Sequence, residues 1–371
     1  MAGLYIHIPF CHSKCAYCDF YSRPRKENQE AGLLVECLLN ELSSRLNEID
    51  EPFSTVYIGG GTPSSLPLKD LNTLINGINS IAPAPEEYTL EMNPEDITDE
   101  LCGFISSSPI NRVSMGVQSL DDVQLKFIGR RHDAKTALNA VERLRCHGID
   151  EISCDLIYGL PLQDIDSWSD SLSRLLELGL PHLSAYLLSY EPGTRLSAML
   201  NTGKVTETDE DTAIAMYNIL IEDTWSKGYR HYEISNFAIP GHEARHNSSY
   251  WNGTPYLGIG PGAHSYDGMS RRVTRPDIKG YFNNRGLDCF DIEEESVNER
   301  FNDFLITALR TADGLNIEEC SLKFGERYCN EMMAQAAKYI DSGALSLLSG
   351  RLIIDERHWL VSDRILVDLI R

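Results

Sequence analysis

Six short segments rich in β-branched and aromatic residues run through the first half of the chain and alternate with stretches of helical periodicity. They are "LYIHIPF", "TVYIGGG", "EYTLEMN", "RVSMGVQS", "EISCDLIYG" and "HLSAYLLSY", beginning near residues 4, 55, 87, 112, 151 and 182. Strands separated by helices need crossover connections, and right-handed crossovers lay them side by side in a parallel sheet. The clearest intervening helix spans 133 to 147: Asp133 can cap it, Ala137, Ala140, Val141 and Leu144 share one face, and Gly148 stops it. Six such units predict an α/β fold over residues 1–200 whose sheet curls into an open, partial (β/α)6 barrel. From 201 to 294 the alternation fades into a mixed extension holding "EISNFA", "ARHNSSYW" and "YLGIGPGAHSY". Residues 295–371 are mostly helical and close with "RLIIDERHWLVSDRILVDLI", a short hairpin and a last helix, which predicts a small, winged-helix-like C-terminal domain.

Composition narrows the setting. No run approaches the roughly 18 apolar residues of a membrane span, and "MAGLYIHIPF" lacks the basic start and long apolar stretch of an export signal, so a cytoplasmic protein is expected. In that reducing environment the ten irregularly scattered cysteines read as free thiols or metal ligands, not as a disulfide framework. A net charge of -22 with no dominant basic stretch argues against nucleic acid as a partner.

Three of the cysteines are crowded together. "PFCHSKCAYCDF" sets Cys11, Cys15 and Cys18 within eight positions. A structural zinc site wants four ligands, usually from two separated pairs; the chain offers no second pair, and His12 would have to fold back on its neighbour Cys11. Three thiolates instead suit a [4Fe-4S] cluster, holding three irons and leaving the fourth open to a ligand from outside the protein.

At this point the sequence resembles the radical S-adenosylmethionine proteins, in which a C-x3-C-x-aromatic-C motif, here Cys11, Cys15, Tyr17 and Cys18, leaves one iron to chelate S-adenosylmethionine. The resemblance implies a radical-SAM barrel and a reaction begun by one-electron cleavage of the sulfonium, with the protein positioning the cofactor. "GGGTP" fits it, because glycines ending the second strand let backbone approach a ligand closely. Glu91 in "EMNPE", Gln118 in "GVQS", Arg130 in "GRRH" and Asp155 in "CDLIYGLP" stand at or just beyond strand ends, the edge on which barrel sites are built. Their order resembles the oxygen-independent coproporphyrinogen III oxidase branch, which implies that Tyr5, Tyr17, Gly60, Gly61, Thr62, Glu91, Gln118, Arg130 and Asp155 bind S-adenosylmethionine.

Within that branch three features separate this chain from the oxidase itself. Asp19 stands where the oxidase has a further cysteine, the first strand begins at about residue 4 without an N-terminal extension, and "HNSSYW", residues 246–251, matches the HNxxYW signature of the HemW group of heme chaperones. Read without the family, His246 is a packed, hydrogen-bonded histidine; with it, His246 becomes the axial heme ligand, and Tyr250 and Trp251 pack on the macrocycle. His264 in "GPGAHSY" is a second candidate ligand, read first as structural, and Gly258, Gly260 and Gly262 beside it have the wrong spacing for a dinucleotide fingerprint. The leading expectation is a chaperone that carries heme to an acceptor protein and holds a [4Fe-4S] cluster and S-adenosylmethionine. Oxidative decarboxylation of coproporphyrinogen III in porphyrin biosynthesis and radical cleavage of heme are the alternatives. The resemblance also suggests a homodimer, and heme delivery suggests transient contact with membrane-bound heme proteins.

Overall fold

The computed structural model describes residues 2–26 and 29–371. Six strands, β1 (Ala2–Ile8), β2 (Phe53–Gly60), β3 (Glu87–Met92), β4 (Arg112–Gln118), β5 (Ile152–Tyr158) and β6 (His182–Leu187), match the six segments expected from the alternation. They pair in chain order and every pairing is parallel. The helix between β4 and β5 runs Ala134–Cys146, and Asp133 caps it by accepting from the Thr136 amide. Its buried face is the predicted one.

Successive strand residues point to opposite faces, and this sheet sorts them strictly. Leu4, Ile6 and Ile8 of β1, Val56 and Ile58 of β2, and Leu90 and Met92 of β3 turn outward into the core shared with the helices. Each of these strands therefore reads as apolar at every second position, with polar or aromatic residues between.

The stretch beyond 201 extends the same sheet at both edges. β7 (Arg230–Glu233) and β8 (Asn236–Ala238) add antiparallel strands beside β6. At the other edge β9 (Tyr256–Ile259) lies parallel to β1, followed antiparallel by β10 (His264–Tyr266), β11 (Ser270–Thr274) and β12 (Phe290–Glu294). The twelve strands run in the order β12-β11-β10-β9-β1-β2-β3-β4-β5-β6-β8-β7. Strands of three to five residues carry too few alternations to register as a period, which is why this region reads as mixed in sequence. The last segment packs helices Val297–Leu309, Ile317–Phe324, Glu326–Asp341 and Ser362–Leu369 on a three-stranded antiparallel sheet, and its buried residues join the same core as the barrel.

A buried ion pair fixes the β9 edge. On helix Gln29–Arg45, Arg45 donates to Glu41 at 2.6 Å, to the Gly258 carbonyl at 3.0 Å and to Ser265 Oγ at 2.9 Å. Glu41 accepts in turn from the Gly260 amide at 2.9 Å and from Tyr281 Oη at 2.7 Å. Both side chains are almost fully enclosed, so each depends on the other to offset desolvation. Arg45→Met should lower stability by about 3–5 kcal/mol by leaving Glu41 buried without its cation. Burial already raises the Glu41 pKa, and removing Arg45 raises it further, so the folded variant holds a proton that the unfolded chain releases. The deficit should shrink as pH falls toward the ordinary glutamate range, which urea midpoints at about pH 8 and about pH 5.5 will test.

Candidate cluster and cofactor site

The site is built at the C-terminal ends of the parallel strands. In the β1–β2 register Ile8 pairs with Gly60, so the loop leaving β1 and the "GGGTP" turn leaving β2 emerge side by side, joined by Gly61 N–H donating to the Ile8 carbonyl at 2.8 Å. The β1 loop carries the cysteine triplet. It is pinned where Phe10–Cys11 pairs with Arg23–Pro24, where the Ala16 amide donates to the Ile128 carbonyl at 2.8 Å, and where the Ala16 carbonyl accepts from the Leu196 amide at 2.8 Å.

Cys11, Cys15 and Cys18 all line one cavity of about 440 Å³, and no fourth cysteine does. Among the described residues no three His, Cys, Asp or Glu side chains sit close enough to hold a single metal ion, whereas three thiols spread over one wall suit a cluster of several irons. Burial raises the pKa of Cys11 and Cys18, so both are neutral thiols in the metal-free protein.

The same cavity is lined by Tyr17, Gly60, Gly61, Thr62, Glu91, Gln118, Arg130 and Asp155, eight of the nine residues expected to bind S-adenosylmethionine. Tyr5 is the exception. Its hydroxyl is bonded to His7 Nδ1 at 3.0 Å, His7 is held through Nε2 by the Tyr21 carbonyl at 2.9 Å, and the Tyr5 ring lines a neighbouring groove instead.

Two carboxylates and one guanidinium set the electrostatics. Glu91 accepts from Tyr57 Oη at 2.7 Å and from the Gly60 amide at 2.9 Å, yet burial pushes its pKa up to about 7. Burial likewise raises Asp155 to about 6, against the lowering effects of Ser184 and Arg130. Arg130 reaches Asn93 Oδ1 at 2.7 Å, the Gly116 carbonyl, and Cys15 Sγ at 3.6 Å, while its Nε has no partner. A cation beside the thiols, an unpaired donor and two carboxylates fit a zwitterionic, positively charged cofactor on a thiolate-bound cluster. Gln118 holds φ at 70° where β4 breaks register, a strained conformation of the kind that gathers at binding sites.

The glycines of the turn, besides lining the cavity, have a packing role. A Cβ on Gly60 would stand 2.5 Å from the His7 ring, and one on Gly61 would stand 2.5 Å from the Phe10 carbonyl oxygen. They permit the close approach of the two loops; the cavity itself is not where their missing side chains would go.

Sequence reading overlooked the inner face of the sheet. Tyr57, Thr89, Arg112, Ser114, Ser153, His182 and Ser184 also line the cavity. They alternate with the apolar outer residues, so once the strands are assigned, the period-two rule finds them. Ser153 Oγ bonds His182 Nδ1 at 2.6 Å, His182 Nε2 bonds Tyr232 Oη at 2.9 Å, and Arg112 donates to the His242 carbonyl at 3.1 Å.

"HNSSYW" forms the helix Arg245–Trp251, whose first amides, those of Arg245 and His246, donate to the Glu87 carboxylate at 2.9 and 2.8 Å. His246 lies between β1 and β2: Nδ1 bonds Thr55 Oγ1 at 2.8 Å, Nε2 bonds Tyr250 Oη at 2.8 Å, and the ring stacks on Tyr57 with centroids 5.1 Å apart. It is 1% exposed, lines none of the cavities, and burial lowers its pKa to about 3. Both ring nitrogens of His246 are engaged in this arrangement, so ligation of a heme iron would require one of them to leave Thr55 or Tyr250. Tyr250 and Trp251 do reach open space, in a cleft of about 1120 Å³ toward the C-terminal helices.

Glu91 gives a pH test on cluster-free protein. Its folded pKa of about 7 exceeds the unfolded value, so its contribution to stability is complete below about pH 4.3 and is lost as pH rises through about 7. Glu91→Gln should flatten that decline by about 1–2 kcal/mol once water in the cavity screens the charge, leaving the part due to Asp155. Urea unfolding from about pH 5 to about pH 8 measures it; an unchanged slope would show that Glu91 titrates normally.

The family model described as the radical SAM superfamily matches residues 5–175, the segment containing the cysteine loop and β2 through β5. The heme chaperone HemW of Bacillus subtilis is 33% identical over 332 residues, covering 88% of this chain and 87% of that protein. HemW of Lactococcus lactis is 36% identical, covering 86% and 84%. In three dimensions the coproporphyrinogen III oxidase HemN of Escherichia coli superposes with a TM-score of 0.86 over 100% of this chain and 90% of that one, at 20% identity, a likeness of fold. The chain therefore belongs to the radical S-adenosylmethionine superfamily and, within it, to the HemW family.

Proposed function

We propose that this protein is a heme chaperone: it binds heme, passes it to an acceptor protein, and carries a [4Fe-4S] cluster on Cys11, Cys15 and Cys18 with S-adenosylmethionine in the adjoining cavity. The observation that carries the reading is the convergence of the three cysteines and eight of the nine cofactor-binding candidates on one cavity, in a chain matched over most of its length by proteins named for heme delivery. In this reading Glu91 and Asp155 offer acceptors to the cofactor's ammonium and ribose hydroxyls, Arg130 and Gln118 offer donors to its carboxylate, and Tyr17 packs beside the cysteines. When bound, cluster and cofactor together supply one-electron chemistry at a sulfonium.

The second reading, oxidation of coproporphyrinogen III, is favoured by the fold it shares with HemN. Asp19, exposed on the cavity wall in place of a thiol, speaks against it. Homodimer formation and contact with membrane-bound heme proteins belong to the proposal too; among the described residues no helix is long and apolar enough to cross a membrane.

Anaerobically reconstituted protein should bind heme at micromolar concentration with an intact Soret band, and should form no protoporphyrinogen from coproporphyrinogen III with reductant and S-adenosylmethionine. Conversion of the porphyrinogen without heme binding would reverse the assignment. Changing Cys11, Cys15 or Cys18 to Ser should remove the visible absorption of the cluster, and changing Cys37, Cys102 or Cys154, which lie in the apolar core, should not. Iron analysis of each variant checks this.

A further inference from the structure

The cleft between the helix Arg245–Trp251 and the C-terminal helices shares no lining residue with the cysteine cavity. At about 1120 Å³ it exceeds the ~300–1,000 Å³ usual for small-molecule pockets, which leaves room for a ligand as large as a porphyrin. Tyr250 and Trp251 line it from the HNSSYW helix. Phe304 and Phe324, with ring centroids 5.5 Å apart, line it from helices Val297–Leu309 and Ile317–Phe324. Aromatic walls of this kind match a flat apolar macrocycle.

The charged groups of the cleft are unevenly matched. Of its five basic side chains, Arg230, Arg271 and Lys323 are paired with carboxylates, and Arg351 donates to the Asp313 and Gly314 carbonyls at 3.1 and 3.2 Å. Those cations engage every carboxylate on the cleft wall except Glu233, which is 1% exposed and accepts from Asn236. Arg300 differs from the other four. Its Nη1 donates to Met269 Sδ at 3.1 Å, its Nε has no partner, and no carboxylate reaches it among the described residues. A thioether is a weak acceptor, so a carboxylate entering the cleft would satisfy this guanidinium better. Met269 is 61% exposed on the turn between β10 and β11, and its flexible side chain can release Arg300 without disturbing either strand.

We propose that the chaperone seats heme in this cleft, with Arg300 donating to a propionate carboxylate and the macrocycle lying against Trp251 and Phe304. The C-terminal domain then supplies one wall of the heme site and its anionic anchor, and the HNSSYW helix supplies the other wall. Tyr250, which holds His246 Nε2 at 2.8 Å, belongs to the same cleft, so the bond that His246 must give up to ligate iron is to a ring beside the seated macrocycle.

This rests on the chaperone reading, and titration of the reconstituted protein with hemin and with hemin dimethyl ester, which lacks the free carboxylates, separates the two. Wild type should bind hemin at least about tenfold more tightly than the ester. Arg300→Ala should lose that preference by weakening hemin alone, with the Soret maximum in place, because Arg300 touches a propionate and not the iron. Arg300→Lys should restore part of it, since a cation remains. Phe304→Ala should weaken both ligands alike. Lys135→Glu, which changes an exposed cation on the helix Ala134–Cys146, should weaken neither. Unchanged circular dichroism and iron content confirm that the variants fold and load normally. If wild type binds hemin and its ester equally, or Arg300→Ala keeps the wild-type preference, the Arg300 assignment is overturned while the chaperone stands. If Phe304→Ala weakens neither ligand, the seat in the cleft is overturned. If wild type fails to bind hemin, the chaperone reading falls and takes the assignment with it.

Discussion

The register between β1 and β2 is the constraint from which the site follows. Pairing Ile8 with Gly60 brings the cysteine loop and the glycine turn out of the sheet together, and the two close against each other only because neither Gly60 nor Gly61 has a Cβ. A slip of one residue would turn Tyr5 and His7 outward and push Leu4 and Ile6 into the interior, exchanging core for cavity along the whole strand. Apolar burial on the outer face of each strand prevents this, so the forces that hold the sheet also aim the polar residues inward.

That inner face opposes stability. Glu87, Arg112, Ser153 and His182 are buried there, Glu91 and Asp155 are held at pKa values near neutrality, and Thr89 Oγ1 and Arg130 Nε have no partner. Each such group costs free energy that an apolar side chain would not. A barrel tuned only to fold would fill this space with branched aliphatics. The polar interior leaves the cavity with unfinished contacts, which the proposed cofactor would complete.

The "HNSSYW" helix shows how one motif divides its work. Its first two amides are tied to Glu87 of β3, its histidine is wedged against Thr55 and Tyr57 of β2, and a Cβ on Gly3 of β1 would stand 3.2 Å from His246 Cε1. Much of the signature therefore anchors the helix to the sheet. Asn247 reaches the cysteine cavity, and Ser248, Tyr250 and Trp251 line the cleft toward the C-terminal helices.

The sequence alone determined the six parallel strands, the capped helix at 134–146 and the cysteine triplet with its companions at the strand ends, because each is a local pattern: an alternation, a cap, a spacing. It left the short flanking strands unrecognised, since three to five residues hold too little periodicity, and their places beside β1 and β6 depend on contacts such as Arg45 with Gly258, 213 positions apart. Only the tertiary structure could show how differently His246 and His264 are placed. Both occur in similar aromatic, glycine-rich or polar stretches, and what distinguishes them is whether Thr55 and Tyr250 saturate one ring while the other meets open space. Saturation of a ring nitrogen is a matter of distances between remote segments, and no one-dimensional pattern encodes those distances.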